Sequence, residues 1–159
     1  MSEPRADRPG VPAGYGISEE PPTASWADAE AKLEDARNYW LATARPEGGP
    51  HAMPVWGLWR DGAFWFSTDP ASRKGRNLAA NPEVVVHLES GDDAVVLEGR
   101  AERVTEIDAE LSEAYHAKYG FRLEPGPAFG IYRVRPRVAF TWAERDFPQS
   151  ATRWRFAST

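Results

Sequence analysis

The sequence predicts a mainly β domain, an antiparallel barrel of short strands with short flanking helices. Two observations carry this prediction. Six or more short apolar or alternating stretches follow one another, separated by turn signals such as RPEGG, RDG and SGDD. Only two longer stretches carry a convincing helical pattern, WADAEAKLEDAR and EIDAELSEAYHAKYG. A chain of 159 residues, 42% of them hydrophobic, suits one such domain with a real core.

Residues 1–24 hold many of the prolines and show no apolar periodicity, so they are read as a flexible N-terminal tail. The barrel domain then occupies residues 25–159. Ser25 is placed at an N-cap, with Asp28 at the third helical position behind it. NYWLATA and PHAMPVWGLW read as strands flanking the RPEGG turn, and RDG turns the chain into the strand AFWFST. A short helix ends at Pro82, because proline disfavours helix in the residue before it. EVVVHLE and AVVLEGRAERV form a second hairpin, and the later helix stops at Gly120. FRLEPGPAFG reads as a loop, and IYRVRPRVAFTWAE and ATRWRF supply the last strands.

Composition narrows the function. Cysteine is absent, which excludes disulfides and thiolate metal sites and fits a reducing cytoplasm. No apolar run approaches the ~20 residues of a membrane span, and the N-terminus lacks the apolar stretch of a signal peptide. A formal charge of -5 argues against general nucleic-acid binding, so any anion site is expected to be local. Arginine outnumbers lysine sixteen to three, which makes each lysine worth asking about.

One stretch stands against this acidic background: STDPASRKGRNLAANP, residues 67–82. With Ser72 at the N-cap, Arg73 and Lys74 fall in the first helical turn, where unpaired backbone N–H groups point outward. Cations there oppose the helix dipole, whereas a purely structural first turn prefers Asp or Glu. An arginine fork, an ammonium, a serine hydroxyl and free N–H groups together make a phosphate cradle; a solvated basic patch is the plainer alternative. The preceding strand AFWFST is apolar on both faces and ends in the hydroxyls of Ser67 and Thr68. A phosphate beside an aromatic strand end suits a nucleotide-like cofactor with a flat ring.

The segment FWFSTDPASRKGRNLAANPEVVVHLE resembles the centre of the pyridoxamine 5'-phosphate oxidase-like family, the flavin- and deazaflavin-binding split β-barrels. The resemblance extends from about Tyr39 to Phe156. It implies that Arg73 and Lys74 bind a cofactor phosphate, and that Ser67 and Thr68 lie near the cofactor's ring and its side chain. It implies that Met53, Pro54, Val55 and Trp56 lie along an isoalloxazine-type ring. It also implies a homodimer, in which Trp142 and Arg153 reach the partner's cofactor. The chain departs from the vitamin B6 oxidases where Trp56 stands in place of a substrate-phosphate lysine, where His51 replaces a flavin-phosphate arginine, and where it ends in TRWRF. These departures point away from B6 oxidation and toward the branch that uses coenzyme F420, with FMN as the alternative. The expected activity is hydride transfer to or from a small organic substrate; the rivals are an FMN oxidase or reductase, a non-catalytic cofactor carrier, and a nucleic-acid or anion-binding barrel that uses its arginine ladders, which the overall acidity disfavours.

Other constellations carry less. Arg133, Arg135 and Arg137 share one strand face by alternation, and Arg153 and Arg155 repeat the pattern; such ladders are either solvated outer faces or a groove for a polyanionic tail, such as the oligoglutamate tail that the F420 of the resembled branch carries. His51, His87 and His116 lack metal-ligand spacing. The serines have no nucleophile-elbow context.

Overall fold

A computed structural model of the chain describes residues 3–16 and 20–157. Nine strands and three α-helices make up its regular structure: β1 (Arg5–Asp7), α1 (Trp26–Asp35), β2 (Tyr39–Ala44), β3 (Pro50–Val55), β4 (Leu58–Arg60), β5 (Ala63–Thr68), α2 (Arg73–Ala80), β6 (Glu83–His87), β7 (Asp93–Val104), α3 (Ala109–Tyr119), β8 (Gly130–Ala143) and β9 (Thr152–Arg155). All strand pairings are antiparallel. The order is β1-β9-β8-β7-β6-β2-β3, and β5 joins this path through β8 while pairing with β4 on its other side. The long strand β8 therefore serves both halves, which is the architecture of a split β-barrel.

Alternation puts Tyr39, Leu41, Phe64, Phe66, Val86, Leu97, Val134 and Ala139 in the barrel interior, closed at one end by Trp26 and Leu33 of α1. A second apolar cluster, Leu58, Leu111, Tyr115, Leu123 and Ile131, seats α3 against the β4–β5–β8 half. No helix among the described residues is long and apolar enough to cross a membrane.

Three details differ from the sequence reading. PHAMPVWGLW is two strands, because the chain leaves the β2 partner at Val55 and joins β5 from Leu58. Gly57 sits at this crossover; a Cβ there would lie 2.2 Å from a Phe64 ring carbon. Ser25 occupies the N-cap of α1, but its side chain makes no capping hydrogen bond. Within the segment read as a flexible tail, Arg5–Asp7 is a strand that pairs with β9. Its sequence shows no periodicity because a three-residue edge strand is too short to display any. Residues 1, 2 and 17–19 of that segment, and 158–159 of the barrel domain, lie outside the described residues.

Candidate functional site

The basic corner forms as a helix start. Ser72 is the N-cap of α2, and its Oγ accepts a hydrogen bond from the Gly75 N–H at 3.0 Å. Thr68 Oγ1, at the end of β5, lies 3.1 Å from the same oxygen. Gly75 allows the tight approach, since a Cβ would meet the Asp69 and Pro70 carbonyl oxygens at 2.5 Å. The first turns of α1 and α3 carry Asp28 and Glu110, whereas that of α2 carries no acidic residue. No carboxylate stands within ion-pair distance of Arg73 or Lys74 among the described residues.

What α2 packs on decides what those cations face. Asn77, fully buried, donates from Nδ2 to Thr43 Oγ1 at 2.9 Å and so pins α2 to β2. Thr43 is in register with His51 of β3. Burial first, then the charges of Arg45, Lys74 and Arg73, push the His51 pKa below its ordinary value and favour the neutral ring. Its Nδ1 is buried without a hydrogen-bond partner. The charges of Arg45, Lys74 and Arg73 thus act on an imidazole held toward its neutral form, one of whose polar atoms is unused. An anion placed there would be met by two unpaired cationic side chains, and it would relieve their mutual repulsion. The corner fits a phosphate. Arg45, in the turn between β2 and β3, escaped the sequence reading because nothing in RPEGG reports that the hairpin folds back toward α2.

The remaining predicted residues are distributed. β3 is the free edge of the main sheet, and Met53 on it is 45% exposed. Pro54 is also exposed, whereas the Val55 side chain is buried in the core, so only its backbone can line a site. Trp56, 44% exposed, stacks on Tyr119 of α3 at 4.8 Å with planes 10° apart. Ser67 opens not toward Ser72 but into a cleft with Phe121, Leu123 and Phe129. Trp142 and Arg153 lie on the outward face of β8 and β9, on the opposite side of the sheet from the buried Ala139 and Trp154. Arg153 donates to both carboxylate oxygens of Asp7, Nε at 2.6 Å and Nη2 at 3.1 Å, so its fork is engaged within its own chain.

A cluster behind Trp56 was not legible beforehand. The Tyr119 hydroxyl accepts from the Gly57 N–H at 3.1 Å and lies 2.8 Å from the Gly57 carbonyl. Lys118 Nζ donates to the same carbonyl at 3.2 Å and to the Tyr39 hydroxyl at 3.0 Å. Burial brings the Lys118 pKa down to about 8. Together these groups fix the β3–β4 crossover and the tryptophan that begins it.

Part of the outward face of the sheet, on β2, β6, β7 and β8, is apolar. Cross-strand register runs Trp40, His87, Val96 and Phe140 into one row, with Ala42 beside Val85 in the next, and all six are only partly covered. An antiparallel sheet whose outer face meets water ordinarily places polar residues there.

Comparison with known proteins bears on this geometry. The family model described as Pyridoxamine 5'-phosphate oxidase matches residues 26–143. The chain belongs to the pyridoxamine 5'-phosphate oxidase family. Among curated members, a pyridoxine/pyridoxamine 5'-phosphate oxidase of Bacteroides thetaiotaomicron is 30% identical over 132 residues, covering 79% of this chain and 58% of that protein. The chain thus spans less than two thirds of that relative's length. Among solved structures, a conserved hypothetical protein of Mycobacterium tuberculosis superposes with a TM-score of 0.67 at 27% identity, covering 77% of this chain and 87% of the other. An F420 reductase superposes at 0.57, also at 27% identity, covering 69% of this chain and 94% of the other. Within the family match lie α2, β3 and Trp142; Arg153 lies beyond it.

Proposed function

We propose that this chain is a cytoplasmic, homodimeric oxidoreductase that binds coenzyme F420 at the subunit interface and transfers hydride to or from a small organic substrate. The observation that carries the reading is the unpaired corner of Arg73 and Lys74 beside the partnerless His51 Nδ1. When bound, a deazaflavin coenzyme supplies the hydride chemistry itself, and the protein supplies binding, orientation and exclusion of water.

The chain's own residues divide that work. Arg73 and Lys74 hold the phosphate, and Ser72 and Thr68 order the helix start beneath it. The exposed edge of β3, from Met53 to the backbone of Val55, offers a flat apolar surface and free main-chain groups to a ring, and Trp56 closes its end. Ser67 borders the adjoining cleft. The apolar outer face supports the homodimer, since burying it against a second copy removes it from water. Trp142 and Arg153 of that second copy are the residues offered to the neighbouring site. Arg153 takes part when Asp7 releases it or when the Asp7–Arg153 pair docks as a unit.

F420 is favoured by the likeness to an F420 reductase and by Trp56, whose stacked indole replaces the lysine expected of a B6 oxidase. Membership of a family with flavin-binding members favours a second reading, an FMN-dependent oxidase or reductase, since the corner would accept either phosphate. Titrating the apoprotein with F420 and with FMN, followed by tryptophan quenching, separates them. Saturable F420 binding with weaker FMN binding is the expected result. Tighter FMN binding selects the second reading, and binding of neither contradicts both. Turnover over a panel of small acceptors then distinguishes an enzyme from a carrier.

A further inference from the structure

The arginine ladders lie outside the corner just described and form a site of their own. Arg100, Arg133, Arg135, Arg137 and Arg155 line one groove of about 680 Å³ whose floor includes Pro82, Ala101, Pro136 and Phe156. A single carboxylate, Glu102, lines it with them. In a chain of formal charge -5, this is a local inversion of sign.

The sheet register concentrates the charge in a way a stable fold does not require. Arg100 of β7 and Arg135 of β8 are direct cross-strand neighbours, an arrangement in which like charges destabilise a sheet. The register then shifts between Glu98 and Gly99: Pro136 opposes Gly99 and Val138 opposes Glu98, leaving Arg137 as the extra, bulged residue. A bulge re-aims side chains, and here it adds another guanidinium on the outward side of β8. Gly99 permits the close approach, since a Cβ would meet the Arg135 carbonyl oxygen at 2.5 Å.

Internal neutralisation is incomplete. Glu102 accepts from Arg133 at 2.6 Å. Glu83 is shared between Arg137 and Arg100, the latter at 3.5 Å. Asp7 is shared between Arg155 and Arg153. Arg135 is exposed and has no ion-pair or hydrogen-bond partner among the described residues. Arg133 Nε is buried with no acceptor.

We infer that this groove binds a compact polyanion, a ligand with several phosphate or carboxylate groups a few ångströms apart. Successive outward positions on a strand lie about 6–7 Å apart, and directly opposed positions about 5 Å apart, which sets the spacing of the anionic groups. Guanidinium forks suit both oxyanions. Single-stranded nucleic acid is disfavoured, because the floor is proline and alanine with no free ring for bases to stack on; Phe156 is taken up by an edge-on contact with Trp26. The groove shares no lining residue with the α2 corner, so the two can be varied separately.

Calorimetric titration of the full-length protein at low ionic strength, with tripolyphosphate and separately with citrate, tests the inference. Three proteins are compared: the wild type, Arg100→Ala/Arg135→Ala and Arg73→Ala/Lys74→Ala. The groove variant is expected to weaken binding of at least one polyanion tenfold or more while remaining folded. The corner variant is expected to retain that binding. The better of the two ligands identifies phosphate or carboxylate as the recognised group. Absence of saturable binding by the wild type, unchanged affinity in the groove variant, or abolition of all binding in the corner variant each overturns the proposal. A thermal readout guards against a folding artefact: with two opposed cations removed, the free groove variant should melt no lower than the wild type and should lose the shift on adding polyanion. Loss of stability in the free variant without loss of binding would assign these arginines a structural role instead.

Discussion

Asn77 donates a buried hydrogen bond from Nδ2 to Thr43 Oγ1 at 2.9 Å, tying a helix to a strand thirty-four positions earlier in the chain. Because Thr43 is in register with His51, this bond sets the basic first turn of α2 beside the His51 ring. The corner's geometry therefore depends on a residue that faces away from it.

Asn77→Ala should accordingly do two things. Losing this buried hydrogen bond, which leaves Thr43 Oγ1 only its longer 3.5 Å bond to the His51 carbonyl, is expected to cost about 1–3 kcal/mol of stability, read from urea unfolding. It should also weaken phosphate-ligand binding although the side chain cannot reach the ligand. A variant that is destabilised but binds normally would mean that α2 keeps its place by its other contacts.

Gly57→Ala should be among the more damaging small substitutions in the chain. The new methyl would lie 2.2 Å from Phe64 Cε2 and 2.7 Å from the Trp65 carbonyl oxygen, and the latter belongs to a central strand that cannot yield. Overpacking of this kind costs about 1–3 kcal/mol. The unfolding midpoint measures it, and loss of the Trp56–Tyr119 stack should alter tryptophan emission as well.

His51 predicts a pH dependence of definite sign. Its pKa in the folded protein lies below the ordinary value of 6.5, so below that pH the unfolded chain binds more protons. Stability contributed by the neutral ring is present above about pH 6.5 and is lost as pH falls through the folded value. His51→Gln should remove this acid loss, so that the variant gains on the wild type as pH falls from 7 to 5. Parallel stability curves over that window would show that the ring is unperturbed. Anion binding at the corner should raise the His51 pKa, which a proton NMR titration would detect.

Val85→Arg tests the dimer surface. It places a charge on the outward face between Ala42 and Glu98 of the two neighbouring strands, at the border of the apolar rows. Sedimentation should give a dimer for the wild type and a folded monomer for the variant. A wild-type monomer would leave the apolar rows around Trp40 and Phe140 without the proposed occupant.

Much of this was legible in the sequence, for local reasons. Ser72 and Pro82 mark the limits of α2 through capping and backbone chemistry that act within a few residues. AFWFST is legible as a strand from its composition, but being apolar on both faces it does not report that the Phe64, Phe66 and Thr68 face is the covered one. What stayed hidden is relational. Nothing in HAMPVWGLW tells that the chain changes partners at Gly57, since the clash that requires glycine comes from Phe64 on another strand. The pairing of Asp7 with Arg153 spans 146 positions, and the gathering of Arg45 about His51 depends on a hairpin folding toward a helix. Lys118 and Tyr119 read as the end of an amphipathic helix, and only the packing of α3 makes them the clamp on the crossover.

The most direct measurement of the central claim is coenzyme binding by Arg73→Ala/Lys74→Ala. Each charge-assisted contact is worth about 1.5–3 kcal/mol, so the pair should cost about 3–6 kcal/mol of F420 or FMN affinity, on the order of a hundredfold or more. The same variant should melt at or slightly above the wild-type temperature, because the cations it removes oppose the α2 dipole and pair with no carboxylate among the described residues. A folded double variant that takes up the coenzyme as tightly as the wild type would contradict the account.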